Sequence, residues 1–197
     1  MRRALVTIGA ALSASILLLP TAAASAGTIS QKKLSSELLT TSQMPAGWTQ
    51  SSTTSEGVGC VHELLEPKGV TQTRTATIYF LGTHDDLPRF DEKIATYSNT
   101  KSAFGKIIAR IDACHKLSGL FDGLKITGTV EAVALKRVGN ASSSYAMTIT
   151  DSRGTLHYYY LITRKDSVIA AFLEGSYPEV IPSEFQSLVD AGVKRLT

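Results

Sequence analysis

The chain has two cysteines, one tryptophan and four histidines among its 197 residues. Two thiols cannot make a multi-disulfide scaffold, and the histidines show no H-x-x-x-H or H-E-x-x-H spacing that would hold a metal. There is no G-x-G-x-x-G fingerprint, no P-loop and no G-x-S-x-G elbow around any serine. The charge is small, with 20 basic against 17 acidic residues. Lys136-Arg137 and Arg164-Lys165 are basic pairs and not patches, which argues against a nucleic-acid partner. After Pro20 no apolar run approaches the roughly 20 residues needed to span a bilayer.

One strong signal stands at the N-terminus. Arg2 and Arg3 precede an apolar stretch over residues 4–19, Pro20 breaks it, and Ala24-Ser25-Ala26 forms a small-x-small cleavage site. Residues 1–26 read as a cleaved secretory signal and residues 27–197 as one domain. Losing Arg2 and Arg3 lowers the formal charge from +3 to +1. With no cysteine at the cleavage site there is no lipid attachment, and Arg2-Arg3 lacks the flanks of a twin-arginine signal. A secreted or cell-wall-associated protein without a stable membrane anchor is expected.

Export decides how the cysteines are read. In an oxidising space Cys60 and Cys114 form a disulfide. It would close a loop of about 55 residues and contribute about 4 kcal/mol on a chain-entropy model. The alternative is a zinc site of Cys60, His62, Cys114 and His115. Against it, neighbours such as Cys114 and His115 diverge by about 100° on a helix.

The remaining pattern is α+β. Residues 30–40 form a short helix capped by Ser30, Pro45 and Gly47 make a turn, and Trp48 covers one end of the core. Residues 58–65 form a short helix carrying Cys60. Residues 71–81 and 89–97 are strands, with His84-Asp85-Asp86 and Pro88 in a loop between them. Asp91-Glu92 is a candidate acid–base pair, but adjacent residues on a strand face opposite sides. The clearest helix runs over 100–117. Phe104, Ile107, Ile108, Ile111, Cys114 and Leu117 form its apolar stripe, Asn99 or Thr100 its cap, and Gly119 its C-terminal stop. Residues 124–133, 143–150, 155–163 and 167–173 are strands of an antiparallel meander. A last helix starts at a Ser183-x-x-Gln186 capping box and buries Phe185, Leu188, Val189, Gly192 and Leu196.

Two strands break the usual alternation. Leu156, Tyr158, Tyr160 and Ile162 face one way, with Tyr159 and Leu161 opposite. Val168, Ala170 and Phe172 oppose Ile169, Ala171 and Leu173. A sheet wet on one side alternates apolar with polar. Here either helices cover both faces, or the second face lines a partner surface or a pocket in which Tyr79, Tyr158 and Tyr160 contact a ligand.

The order of these parts resembles a known group. It runs from Leu38-Leu39-Thr40 and Met44-Pro45-Ala46-Gly47-Trp48 to a cysteine, two strands, and a helix with a second cysteine near its end. Val138-Gly139-Asn140-Ala141-Ser142, a meander and an amphipathic helix follow. This is similar to the extracellular sensor-like domains of actinobacterial receptor kinases of the PknH type and their free-standing secreted relatives. The resemblance implies an antiparallel sheet with flanking helices, a cleft for a small molecule or cell-envelope component, and no catalysis or cofactor. This chain has one cysteine pair where those domains typically carry two, and it has no kinase domain. A carrier of an apolar or lipid-like molecule and a small hydrolase are the alternatives.

Overall fold

The structure, a computed structural model, describes residues 29–52, 59–61, 64–84, 87–121 and 124–197. Residues 1–26, read above as a signal, and His62 and Asp85-Asp86 therefore lie outside the described residues.

Eight antiparallel strands make one sheet: β1 (Thr49–Ser51), β2 (Gln72–His84), β3 (Leu87–Tyr97), β4 (Lys116–Phe121), β5 (Leu124–Ala132), β6 (Ala141–Asp151), β7 (Gly154–Lys165) and β8 (Val168–Ser176). Their spatial order is β1-β2-β3-β8-β7-β6-β5-β4. β4 to β8 form the meander and β8 docks on β3, so the most apolar strand lies in the middle. Among the described residues, three helices flank the sheet: α1 (Gln31–Ser36), α2 (Thr100–Asp112) and α3 (Pro182–Arg195).

The two-sided apolar strands have a direct explanation. On one face, Leu34, Leu38, Leu39 and the α3 residues Phe185, Leu188, Val189, Val193 and Leu196 pack on Phe80, Phe90, Ile94, Leu161, Ala170 and Phe172. On the other, Ala103, Ile107 and Ile111 of α2 pack on Ala95, Tyr97, Tyr145, Met147, Ile162, Ile169 and Ala171. Helices thus cover both faces, and the strands between them need no polar alternation. Phe80, Phe90, Phe172 and Phe185 are fully buried; such burial contributes about 1.5–3 kcal/mol per side chain. Gly192 permits the close approach of α3, since a β-carbon there would lie 2.5 Å from the Phe172 ring.

Several boundaries differ from the sequence reading. The helix expected over 100–117 ends at Asp112; Asn99 caps its start by accepting from the Ser102 N–H, and Leu117 and Gly119 belong to β4. Of the helix expected over 58–65, residues 59–61 form a 3-10 turn and Leu64 and Leu65 lie in a turn, while residues 58, 62 and 63 lie outside the described residues. His84 and Pro88 extend β2 and β3 into the expected loop. The Ser183-x-x-Gln186 capping box is absent. Pro182 takes the first helical position, which puts Ser183 inside α3, and Gln186 donates to Asp190. A capping box occurs instead at Thr40 and Gln43.

Cys60 and Cys114 are disulfide-bonded with Cα atoms 5.9 Å apart. The bond excludes the zinc reading of these thiols and ties the 3-10 turn to the point where α2 gives way to β4.

Candidate functional site

Strand parity and register bring the sequence-predicted tyrosines to one face. Tyr79 on β2 pairs with Asp91 on β3, Asp91 with Leu173 on β8, and Leu173 with Tyr160 on β7. The adjacent row on the same face runs Leu81, Arg89, Gly175, Tyr158 and Met147. Tyr79, Tyr158 and Tyr160 therefore all lie on the side that α2 covers.

At the centre of these rows is an ion pair that the sequence reading did not single out. Arg89 Nε donates to both oxygens of Asp91, at 3.0 and 3.2 Å. Residues two apart on a strand share a face, which is why Arg89 meets Asp91 while Glu92 lies on the opposite side. That disposes of Asp91-Glu92 as an acid–base pair. The Asp91 side chain is 9% exposed and that of Arg89 20%. Arg89 Nη2 is buried and has no hydrogen-bond partner among the described residues.

The aromatic groups pack around this pair. The Arg89 guanidinium carbon lies 5.8 Å from the Tyr79 ring centroid, a cation–π contact. Gly175 makes room for Tyr158: a β-carbon there would stand 2.3 Å from Tyr158 Cε1 and 2.6 Å from Cδ1. The ring thus leans over the backbone of β8, toward Arg89 in the same row. Tyr160 lies deeper, among the side chains that α2 covers.

The phenols report a mixed field. Burial raises the Tyr79 pKa, Asp91 adds to the rise, and Arg89 and a hydrogen bond with Thr77 oppose it. Burial also raises Tyr158; there Arg89 is the leading opposing charge, and Asp91 and Asp151 act with burial. Desolvation pushes Tyr160 above its ordinary value as well, with Tyr97 and Asp91 adding to it. All three are neutral phenols near pH 7, able to donate and accept hydrogen bonds.

A concavity of about 290 Å³ lies beside the β5–β6 connection, lined in part by Asp112, Arg137, Ser143 and Tyr145. The Tyr145 hydroxyl donates to Asp112 Oδ1 at 2.7 Å, which fastens the end of α2 to β6. None of the tyrosines singled out in the sequence lines it.

Among the described residues no group of three or more His, Cys, Asp or Glu could hold a metal ion. None of the described helices is long and apolar enough to cross a membrane.

These features define a class: an α+β domain with one antiparallel sheet between helices, carrying a polar and aromatic cluster on one sheet face. The extracellular domain of PknH from Mycobacterium tuberculosis has this fold. The two superpose with a TM-score of 0.67 at 10% identity, over 85% of this chain and 96% of that one. An uncharacterised protein of Mycobacterium smegmatis, the Rv0999 ortholog, aligns with a TM-score of 0.46 at 15% identity, over 78% of this chain and 91% of its own. No family model and no curated protein matches the sequence. The resemblance read from the order of parts therefore holds at the level of the fold.

Proposed function

We propose that this chain is an exported, non-catalytic ligand-binding module of the sensor-like type, with its ligand site at Arg89, Asp91, Tyr79 and Tyr158. The observation that carries this reading is the cluster itself. A largely buried ion pair with an unpartnered guanidinium nitrogen, bordered by two tyrosines, lies on the sheet face that α2 covers. A fold needs no such group for stability, since burying charge is costly and apolar side chains of the same volume pack as well. A ligand gives it a use. The ligand is a small molecule or a cell-envelope component, and residues 1–26 direct the chain to where it meets one.

The lipid-carrier reading rested on the two-sided apolarity of β7 and β8. Both faces of these strands pack against helices, which accounts for that apolarity without a lumen.

The test is mass spectrometry of small molecules that co-purify with the secreted protein, wild type beside Tyr158→Leu. A molecule carried by the wild type and missing from a folded Tyr158→Leu variant is expected. Equal retention by both removes this site.

A further inference from the structure

The geometry points to an uncharged, hydroxyl-bearing ligand, a saccharide unit, with a ring face against Tyr158 and an oxygen accepting from Arg89. This rests on the ligand-site reading of the same cluster and goes on to name its chemistry.

Three properties of the cluster select this class. The first is charge. Arg89 and Asp91 neutralise one another through two contacts from a single nitrogen. An anionic ligand drawn to Arg89 meets the Asp91 carboxylate in the same contact, and an ammonium drawn to Asp91 meets the guanidinium. A neutral ligand incurs neither repulsion.

The second is the hydrogen-bonding inventory. Asp91 already occupies Arg89 Nε, and the buried Nη2 still offers a donor. A buried donor left without an acceptor is costly, so an oxygen placed there gains more than it would in water. The phenols of Tyr79 and Tyr158 both donate and accept, which matches a ligand with several hydroxyls. An acyl chain could satisfy none of these groups.

The third is shape. Gly175 is the residue that lets the Tyr158 ring lie over β8, where any β-carbon would strike it at 2.3 Å. Together with Tyr79 beneath the guanidinium, this sets an aromatic surface beside a hydrogen-bond donor. A pyranose ring has the complementary form, with an apolar C–H face and a rim of hydroxyls.

The experiment uses the secreted protein on an array of immobilised neutral and acidic glycans, beside folded Arg89→Gln and Tyr158→Leu variants. Neutral glycans are expected to retain the wild type and to lose about tenfold or more in affinity with either variant, the cost of a hydrogen bond to a charged group or of an aromatic face. Should Arg89→Gln not fold, Tyr79→Leu and Tyr158→Leu leave the ion pair intact and carry the test. Capture by acidic glycans alone, capture by none, or equal capture by Tyr158→Leu each overturns the inference. The broader reading fails separately. If the co-purifying molecule is no saccharide yet is lost in Tyr158→Leu, the site stands and the ligand class is wrong.

Discussion

The backbone N–H of Leu39 donates to Glu92 Oε2 at 2.6 Å, joining the segment after α1 to the middle of β3. Glu92 is fully buried beneath α3, and its second oxygen has no hydrogen-bond partner. Burial pushes its carboxyl up to about 7, against the Leu39 hydrogen bond and the more distant Arg195. Glu174, on the same sheet face, is likewise pushed up to about 7 by burial, with Glu184 adding to it.

Stability should therefore fall as the pH rises. A carboxyl with a raised folded value holds its proton more tightly in the folded state. Its stabilising contribution is complete below the ordinary value near 4.5 and is lost as pH climbs through about 7. Each group accounts for on the order of 3 kcal/mol across that window. Urea unfolding at pH 5 and pH 8 checks this. The midpoint should be higher at pH 5, and Glu92→Gln, which keeps an acceptor for Leu39, should reduce the difference and leave the part due to Glu174. A wild-type midpoint that rises from pH 5 to pH 8 refutes it.

Gly192→Ala tests how closely α3 sits on the sheet. Alanine gains about 1 kcal/mol of helix propensity over glycine. Its β-carbon would meet the Phe172 ring at 2.5 Å, and overpacking of this kind costs about 1–3 kcal/mol. A net loss of stability is expected, read as a lower melting temperature. A gain would mean that α3 stands further from β8.

Reducing the Cys60–Cys114 bond should lower stability by about 4 kcal/mol, the loop-closure value for a sequence separation of 54. A Cys60→Ser, Cys114→Ser double variant measured in denaturant checks the magnitude. Intact mass before and after reduction and alkylation checks that the bond is present.

Gly175→Ala addresses the proposed ligand site from its floor. The new β-carbon would displace the Tyr158 ring from its place over β8. Ligand retention should drop as far as in Tyr158→Leu, although no side chain of the site has been removed. Undiminished retention would show that the ring position is irrelevant to binding.

Much of this architecture was legible in the chain because strand parity is strict. Phe90 and Ile94 fell on one face of β3 and Ala95 and Tyr97 on the other, as the alternation requires. The same parity placed Tyr158 and Tyr160 together and Tyr159 opposite. The end of α2 was not legible. Cys114 and Leu117 extend the 3.6-residue apolar stripe, yet both are buried because the chain turns into β4 along the same core. A three-residue spacing between buried positions does not distinguish these paths. The start of α3 was misplaced for a local reason. Proline suits the first helical turn, and Pro182 begins the helix ahead of Ser183.

The Arg89–Asp91 pair was missed although its signal was present. An i, i+2 pair of opposite charges inside a strand otherwise rich in apolar residues places both groups on one face. What the sequence could not show was that Gly175 and Tyr158 would be their neighbours. That depends on β8 lying between β3 and β7, a pairing across about 80 residues of chain.

The most direct measurement of where the ligand sits is a spectrum of the tyrosine rings. With ¹³C-labelled tyrosine, signals are compared before and after adding the molecule that co-purifies with the protein. Tyr79 and Tyr158 are expected to shift, while Tyr159, stacked on Phe185 on the opposite face of the sheet, stays in place. A shift at Tyr159 with Tyr79 and Tyr158 unmoved would contradict a ligand site at Arg89 and Asp91.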